Sequence, residues 1–207
     1  MTHGTSGTSG TMALRRICVY CGSSEGERGT YKEAATALAE ALAARGLDIV
    51  YGGGSVGLMG VIADILLARG REVTGVITRD LWEREVGHAT LTANHIVDTM
   101  HERKKLMYEL ADGFVILPGG YGTLDEFFET ITLMQTGKIR RFPMLLIGGD
   151  YWPGLARWID DVLVDRALIS PADRHLFQIV EDPDEIIRIV QAAHAEHGRV
   201  VDNVTLA

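Results

Sequence analysis

The segment Leu117–Glu126, with the sequence LPGGYGTLDE, combines a glycine-rich turn with an acidic side chain. It follows an apolar run and leads into a helical pattern, so we expect a strand, a tight turn and the start of a helix. Unpaired N–H groups and the dipole at a helix start attract phosphate, and glycines let a ligand approach the backbone. The segment therefore predicts a phosphate-binding turn.

Two other glycine-rich turns, Cys21–Ser24 and Gly52–Gly57, also follow apolar strands. Because ligands of parallel α/β sheets bind beyond the carboxyl ends of the strands, converging turns predict one anion site. Gly52–Gly57 matches G-x-G-x-x-G, but it follows the second strand and no acidic residue ends the next strand, which disfavours dinucleotide binding. The sequence also lacks G-x-x-x-x-G-K-[ST], which disfavours a P-loop NTPase.

Glu126 has two competing interpretations. The run Thr123–Glu126 fits a capping box, in which Thr123 caps the helix and Glu126 reaches back to the N–H of the cap. Spacing alone favours this structural role, because helix caps are common and catalytic carboxylates are rare. The two roles can also coexist in one residue.

A predicted helix carries an arginine within an apolar stripe, since Met100, Arg103, Met107 and Leu110 fall on one helical face. The guanidinium needs a partner, and the pattern leaves two roles open: pairing with a carboxylate, or binding phosphate or developing substrate charge. Arg103 and Glu126 are expected in the first turns of successive helices beyond one edge of the sheet. A buried carboxylate and an arginine beside a phosphate site suit the cleavage of an N-glycosidic bond.

The remaining sequence predicts alternating strands and helices, the pattern of a parallel α/β sheet. The predicted strands are Ile17–Tyr20, Asp48–Tyr51, Glu72–Ile77, His95–Val97, Gly113–Leu117, Met144–Ile147 and Phe177–Val180. The predicted helices are Tyr31–Arg45, Leu58–Arg69, Met100–Ala111, Leu124–Gln135, Leu155–Asp165 and Asp184–Glu196. The long irregular stretch Thr78–Asn94 is expected to form a lid or a binding loop.

The length favours one domain. Of the 207 residues 46% are apolar, which is enough for one sizeable core, and we expect a single domain over residues 13–207. Residues 1–12, with the sequence MTHGTSGTSGTM, show no periodicity and are expected to be a disordered leader or an added tag outside the fold.

Charge and cysteine usage disfavour several classes of partner. A formal net charge of −8 and a pI near 5.3 argue against a nucleic-acid or anionic-membrane surface, and no apolar stretch approaches the length that spans a bilayer. Cys18 and Cys21 provide no disulfide framework and are expected to pack as small buried residues in a cytoplasmic protein. No cluster of His, Cys and carboxylates has ligand spacing, so no catalytic metal is expected.

Together these motifs resemble the LONELY GUY (LOG) family of cytokinin-activating phosphoribohydrolases, whose bacterial members were long labelled possible lysine decarboxylases. The resemblance runs from Ile17 to about Val190 and includes several motifs in the family's order. They are Cys21–Ser24, Gly52–Gly60, Met100–Lys104 and Pro118–Glu126.

The resemblance implies a set of site residues. Arg103 in M-x-E-R-K and Glu126 at the end of P-G-G-x-G-T-x-x-E match the family's catalytic pair, which overturns the preference for a purely structural Glu126. The family's nucleotide contacts map onto Glu85, Lys104, Gly120, Tyr121, Gly122, Thr123, Leu124, Asp125 and Thr132. The glycine turns add the candidates Gly22, Ser23, Gly53, Gly54 and Gly119.

The resemblance also implies a fold and a reaction. The fold is a three-layer Rossmann-like α/β fold, with a mainly parallel sheet and helices on both faces. The reaction is hydrolysis of AMP or N6-prenylated AMP to the free base and ribose 5-phosphate, with no cofactor. The basic unit is a homodimer, and some members form larger assemblies. The preferred N6 substituent stays open.

Three other functions fit these motifs less well. A lysine decarboxylase would need a Schiff-base lysine and a pyridoxal-phosphate pocket, and no motif supports a partner for the cofactor ring. A non-catalytic nucleotide or cofactor carrier of the same fold is the more serious alternative, although a carrier could lose either Arg103 or Glu126. A purely oligomeric scaffold would leave Arg103 unexplained.

Overall fold

The computed structural model describes residues 14–27 and 29–204, with the backbone alone for residues 85, 86 and 197–204. The predicted leader at residues 1–12 lies outside the described residues. The strands are β1 (Arg16–Tyr20), β2 (Asp48–Tyr51), β3 (Val73–Thr78), β4 (Ala93–Val97), β5 (Gly113–Ile116), β6 (Met144–Leu146) and β7 (Gln178–Ile179). The α-helices are α1 (Thr30–Ala44), α2 (Gly57–Ala68), α3 (Arg79–Leu81), α4 (Met100–Glu109), α5 (Tyr121–Gln135), α6 (Trp152–Trp158) and α7 (Pro183–Val204).

The strands form one sheet in the order β4-β3-β2-β1-β5-β6-β7, and each neighbouring pair is parallel. The chain builds outward from β1 to β4 on one side and returns to the centre to place β5 on the other. The order therefore reverses between β1 and β5, which is the position where open parallel sheets bind ligands.

Two apolar layers cover the sheet and confirm the predicted three-layer α/β fold. Ile17 and Val19 of β1 face a core that includes buried side chains of α1, α2 and α7. Cys18 and Tyr20 point to the opposite face and pack with buried side chains of α4, α5 and α6. This alternation follows from the two-residue period of a strand, and it places α4 and α5 side by side on one face.

The predicted strands and helices are confirmed with shifts of a few residues at their ends, except that α7 runs to Val204 instead of ending at Glu196. The stretch Thr78–Asn94, which was expected to be irregular throughout, is irregular only in part. It contains α3, a π-helical turn at Trp82–Val86 and the first residues of β4. A Cβ on Gly87 would lie 2.2 Å from the ring of Trp82, so this indole packs against the bare backbone. Such a contact has no periodic signal in the sequence.

A second π-helical turn, Ile159–Val164, follows α6 within the predicted helix Leu155–Asp165.

Among the described residues, no helix combines the length and the hydropathy needed to cross a membrane.

Candidate active site

A cavity of about 400 Å³ opens at the carboxyl ends of β1, β2 and β5, beside the point where the strand order reverses. The turn after β1 contributes Gly22 and Ser23, the turn after β2 contributes Gly52 and Gly54, and the turn after β5 contributes Gly120. The structure therefore brings the three glycine-rich turns together at one cavity.

Close backbone packing joins the first and third turns. The Gly22 N–H donates to the Pro118 carbonyl oxygen at 3.0 Å, and the Tyr151 hydroxyl donates to the Gly119 carbonyl oxygen at 2.6 Å. A Cβ on Gly119 would lie 2.0 Å from Thr123 Oγ1, so a larger residue there would displace the threonine. These contacts hold the turn before α5 against the end of β1.

The start of α5 is open to an anion. Gly120 is the N-cap and brings no side-chain cap, and the first turn carries no acidic residue. The first hydrogen bond of the helix runs from the Leu124 N–H to the Gly120 carbonyl, so the N–H groups of Tyr121, Gly122 and Thr123 come before it and have no helical acceptor. All three residues line the cavity. Unpaired N–H groups at the positive end of a helix form a phosphate site.

The capping box predicted for Thr123 and Glu126 is wrong. Helix α5 begins two residues before Thr123, and the Glu126 carboxylate pairs with Arg103 instead of the helix start. A capping box does form at α4, where Thr99 Oγ1 accepts from the Glu102 N–H and the Glu102 carboxylate accepts from the Thr99 N–H, both at 3.1 Å. Both segments fit T-x-x-E, and tertiary contacts decide between them.

Arg103 is buried, and its guanidinium donates to three protein oxygens. Nη1 donates to Glu126 Oε1 at 2.8 Å, Nε donates to the Val76 carbonyl of β3 at 2.9 Å, and Nη2 donates to the Gly52 carbonyl at 3.3 Å. A Cβ on Gly52 would lie 2.2 Å from Nη2, so the glycine makes room for the guanidinium. Arg103 thus finds the partner that its place in an apolar stripe requires, and it still lines the cavity.

Glu126 also lines the cavity, and 7% of its side chain is exposed. Burial raises the pKa of its carboxyl above the ordinary glutamate value, and the charge and hydrogen bond of Arg103 offset only part of this effect. A carboxylate with a raised pKa in a cavity is suited to accept a proton.

Lys104 pairs with two carboxylates of α5. Its Nζ donates to Asp125 Oδ2 at 2.8 Å and also contacts Glu129 Oε2. Burial lowers the pKa of Lys104, but its hydrogen bonds to Asp125 and Glu129 outweigh burial, so the net direction is upward. Lys104 is therefore protonated at neutral pH.

Comparison with known proteins decides the family. A family model described as "Possible lysine decarboxylase" matches residues 59–190. A probable cytokinin riboside 5′-monophosphate phosphoribohydrolase of Oryza sativa subsp. japonica is 43% identical over 189 residues, covering 91% of this chain and 75% of the relative. The chain belongs to the LOG family. A cytokinin riboside 5′-monophosphate phosphoribohydrolase of Arabidopsis thaliana is 41% identical over 192 residues, or 92% of this chain and 88% of the relative.

Solved structures extend the LOG-family fold to distant proteins. The molybdenum cofactor binding protein from Rippkaea orientalis superimposes with a TM-score of 0.63 over 88% of this chain and 98% of that chain. Only 18% of the aligned residues are identical, so this likeness shows the fold alone.

The other predicted contacts come from the LOG-family resemblance or from the glycine turns, and they differ in where they lie. Gly119, Asp125 and Lys104 adjoin the cavity-lining residues in sequence but are not part of the lining. The side chain of Glu85 lies outside the described residues. Gly53 packs against β3, where its Cβ would meet the Ile77 side chain, and Leu124 packs into the apolar layer under α5.

Thr132, which the LOG-family resemblance gives as a nucleotide contact, does not line the cavity. Its hydroxyl donates to the Phe128 carbonyl at 2.7 Å, and it lines a separate depression of about 160 Å³ between α5 and the segment after α6. The structure therefore does not bring Thr132 together with Arg103 and Glu126.

Eight of the residues that line the cavity of this LOG-family chain were not among the predicted site residues. Three of them lie within the predicted glycine-rich turns, and the others lie near the end of a strand or near the start of the next helix, so position relative to strand ends was the available signal. They are Val19, Cys21, Gly52, Val56, Met59, Ile77, Leu81 and Met100.

The two cysteines are free and buried, as expected for small core residues. Burial raises the thiol pKa of Cys18 and of Cys21, because a thiolate is poorly solvated there. Cys21 therefore contributes a neutral thiol to the cavity wall. Within the described ranges, no group of three His, Cys, Asp or Glu side chains could hold a metal ion.

Proposed function

We propose that this LOG-family protein hydrolyses the N-glycosidic bond of AMP or of N6-modified (cytokinin) AMP, giving the free base and ribose 5-phosphate. The observation that carries the proposal is the buried Arg103–Glu126 ion pair, which lines the cavity beside the open start of α5. The names of the curated relatives describe the same reaction class, which supports the assignment.

In the proposed reaction the 5′-phosphate accepts hydrogen bonds from the N–H groups at the start of α5. The bond from C1′ to the base breaks with its electron pair going to the base, so positive charge develops on the ribose. The Glu126 carboxylate stabilises this oxocarbenium-like charge and takes a proton from the water that attacks C1′. The Arg103 guanidinium stabilises the electron pair on the departing base. The proton that Glu126 took from the water then passes to the base, which leaves as the neutral molecule and regenerates the carboxylate.

Lysine decarboxylation, which the family description suggests, does not suit the lysines near this cavity. A Schiff base forms from a neutral amine, whereas Asp125 and Glu129 raise the pKa of Lys104. Lys105 is exposed and pairs with Glu109 one turn along α4. Neither ammonium group lines the cavity.

Chromatography of the released base tests the proposed reaction. Purified protein is incubated with AMP and with isopentenyl-AMP, and adenine or its prenylated form is quantified. Glu126→Ala and Arg103→Met are expected to lower kcat/KM by roughly 100-fold or more, because each removes charge stabilisation that acts in the transition state.

If neither substrate releases base above the level of Glu126→Ala, the chain is a nucleotide or cofactor carrier, the alternative that shares this fold. Calorimetry then distinguishes the two functions, since a carrier binds AMP without consuming it. The named function of the Rippkaea orientalis neighbour supplies the precedent for that alternative.

We also propose that residues 13–207 act as one domain of a cytoplasmic homodimer that can associate further. The single continuous sheet supports one domain, and the free cysteines suit a reducing compartment. Exposed Phe128 and Trp158 offer apolar contact surface. Light scattering coupled to size exclusion measures the assembly, and a monomeric mass at assay concentration would contradict the dimer.

A further inference from the structure

Lys104 occupies an unusual position for a surface helix residue, because only 6% of its side chain is exposed. It follows Arg103 on α4, and its ammonium lies between Asp125 and Glu129, which are one turn apart on α5. A buried ammonium is stable only when it is paired, and here both partners come from the neighbouring helix.

Two adjacent ion pairs therefore link α4 to α5. The first pair joins Arg103 to Glu126 and lines the cavity. The second joins Lys104 to Asp125 and Glu129 and lies outside the cavity lining. A substrate phosphate would have to compete with two carboxylates for the Lys104 ammonium, whereas the N–H groups of α5 are open to it.

We propose that Lys104 is a positioning residue, which holds α4 against α5 so that Arg103 and Glu126 keep their contact. This inference rests on the proposed function. In this inference the Lys104 ion pair keeps the Arg103–Glu126 pair in position and influences the charge state of Glu126.

The charges around Glu126 support a coupling between the two pairs. Burial raises the pKa of Glu126 most, Arg103 lowers it, and smaller effects come from Asp125, which raises it, and Lys104, which lowers it. The other titratable groups that interact with Glu126 come from β1 and its following turn and are neutral at pH 7: Cys18, Tyr20 and Cys21. Loss of the Lys104 charge is therefore expected to raise the pKa of Glu126 further.

The experiment compares Lys104→Met, Lys104→Arg and Lys105→Met with the wild type, using AMP hydrolysis over a range of pH. Lys104→Met should lower kcat roughly tenfold, because the catalytic groups lose their alignment, with KM changed less than about twofold. The acid limb of its kcat profile should move upward by roughly 0.5 pH unit. Lys104→Arg should recover most of the activity, and Lys105→Met, which removes an exposed neighbouring charge, should match the wild type.

A second variant gives a shift of the opposite sign. Asp125→Asn removes a negative charge that raises the pKa of Glu126, so it should move the acid limb downward. Because 56% of the Asp125 side chain is exposed, this protein should fold even if Lys104→Met does not. Asp125 is also one of the two partners of Lys104, so its loss should lower kcat as well, and an unchanged kcat would overturn the proposal.

Two results with Lys104→Met would also overturn it: a KM at least tenfold higher with an unchanged kcat and acid limb, which identifies a substrate contact, or no change in any parameter. If the wild type releases no base, the proposed function fails separately. The titration of Glu126 by carbon-13 NMR of the ligand-free proteins then tests the inference. A higher titration midpoint in Lys104→Met supports it, and an unchanged midpoint refutes it.

Discussion

Gly52 determines where the Arg103 guanidinium can lie. The guanidinium donates to the Gly52 carbonyl and occupies the space that a side chain at this residue would fill. A Cβ would also approach Met59 Sδ to 3.1 Å, so an alanine has no free direction to occupy. The position of Arg103 thus depends on the fact that Gly52, in the turn after β2, has no Cβ atom.

Gly52→Ala should lower kcat/KM for AMP by roughly 100-fold, because the added methyl group pushes the Arg103 guanidinium away from Glu126 and the two groups lose their alignment. Steady-state kinetics measures the effect. Gly154→Ala is the matched control, since a Cβ at that helical glycine meets no atom within 4 Å. Wild-type activity in Gly52→Ala would show that Arg103 does not need its observed position.

At the residue scale, the sequence predicts the candidate catalytic groups but not how they are held. Arg103 and Glu126 were expected near one edge of the sheet, because both follow strands by one turn. The carbonyls of Gly52 and Val76, which orient the guanidinium, carry no side-chain signal. The partners of Lys104 were also missed, because a contact between two helices separated by a strand leaves no local pattern.

Helix α5 differs from α4 in how its first turn is satisfied. Helix α4 uses a side-chain cap and an acidic residue, whereas α5 has neither and directs its free N–H groups at the cavity. An acidic first turn stabilises a helix and repels a phosphate. Helix stability and phosphate binding therefore make opposite demands at Gly122.

Gly122→Asp should raise KM for AMP roughly tenfold and raise the melting temperature, since a charge at a helix start is worth on the order of 1 kcal/mol. A Cβ at Gly122 meets no atom within 4 Å, so the change is electrostatic rather than steric. Gly122→Asn, of similar size but neutral, is the control for kinetics and calorimetric melting. Equal KM values for the two variants would argue against a phosphate at this helix start.

At the element scale, the order and type of strands and helices could be predicted, whereas special helix starts and turns could not. Thr123–Glu126 satisfies the local pattern of a capping box, yet Glu126 is drawn to the buried Arg103. The turn at Trp82–Val86 depends on the Trp82 ring packing on Gly87, which lies outside any local window. In both cases a tertiary contact outweighs a local preference.

The stability of the whole molecule should depend on pH, because the ionisable carboxyl of Glu126 is buried at the carboxyl ends of the strands. The pKa of Glu126 is raised in the folded state. The corresponding stabilisation is fully present below the ordinary glutamate pKa and is lost as pH rises through the folded-state pKa. The fold is therefore expected to be less stable when Glu126 is ionised and ready for catalysis.

Glu126→Gln imitates the protonated carboxyl at every pH. Its free energy of unfolding, measured with urea, should exceed that of the wild type by an amount that grows as pH rises above about 4 and stays nearly constant at lower pH. A difference that stays constant or shrinks as pH rises would contradict the raised pKa.

Across the whole chain, the parallel sheet and its two covering layers follow from buried β-branched runs alternating with helices. The reversal between β1 and β5 decides which turns meet, and no single segment encodes it. Apolar wall residues such as Val19 and Ile77 could not be separated from ordinary core residues, because their chemistry is the same. Only the assembled sheet edge distinguishes them.

Helix α5 carries both the N–H groups proposed to bind the phosphate and the candidate catalytic carboxylate, so it fixes the distance between them. Tyr121 and Glu126 are five residues apart, which corresponds to a rise of about 7.5 Å along the axis. One inserted residue between them would turn the carboxylate by about 100° away from the cavity. In the proposed function, a single rigid helix therefore sets the distance between the phosphate and the scissile bond. A nucleotide that carries its phosphate elsewhere on the sugar would not place its glycosidic bond beside Glu126.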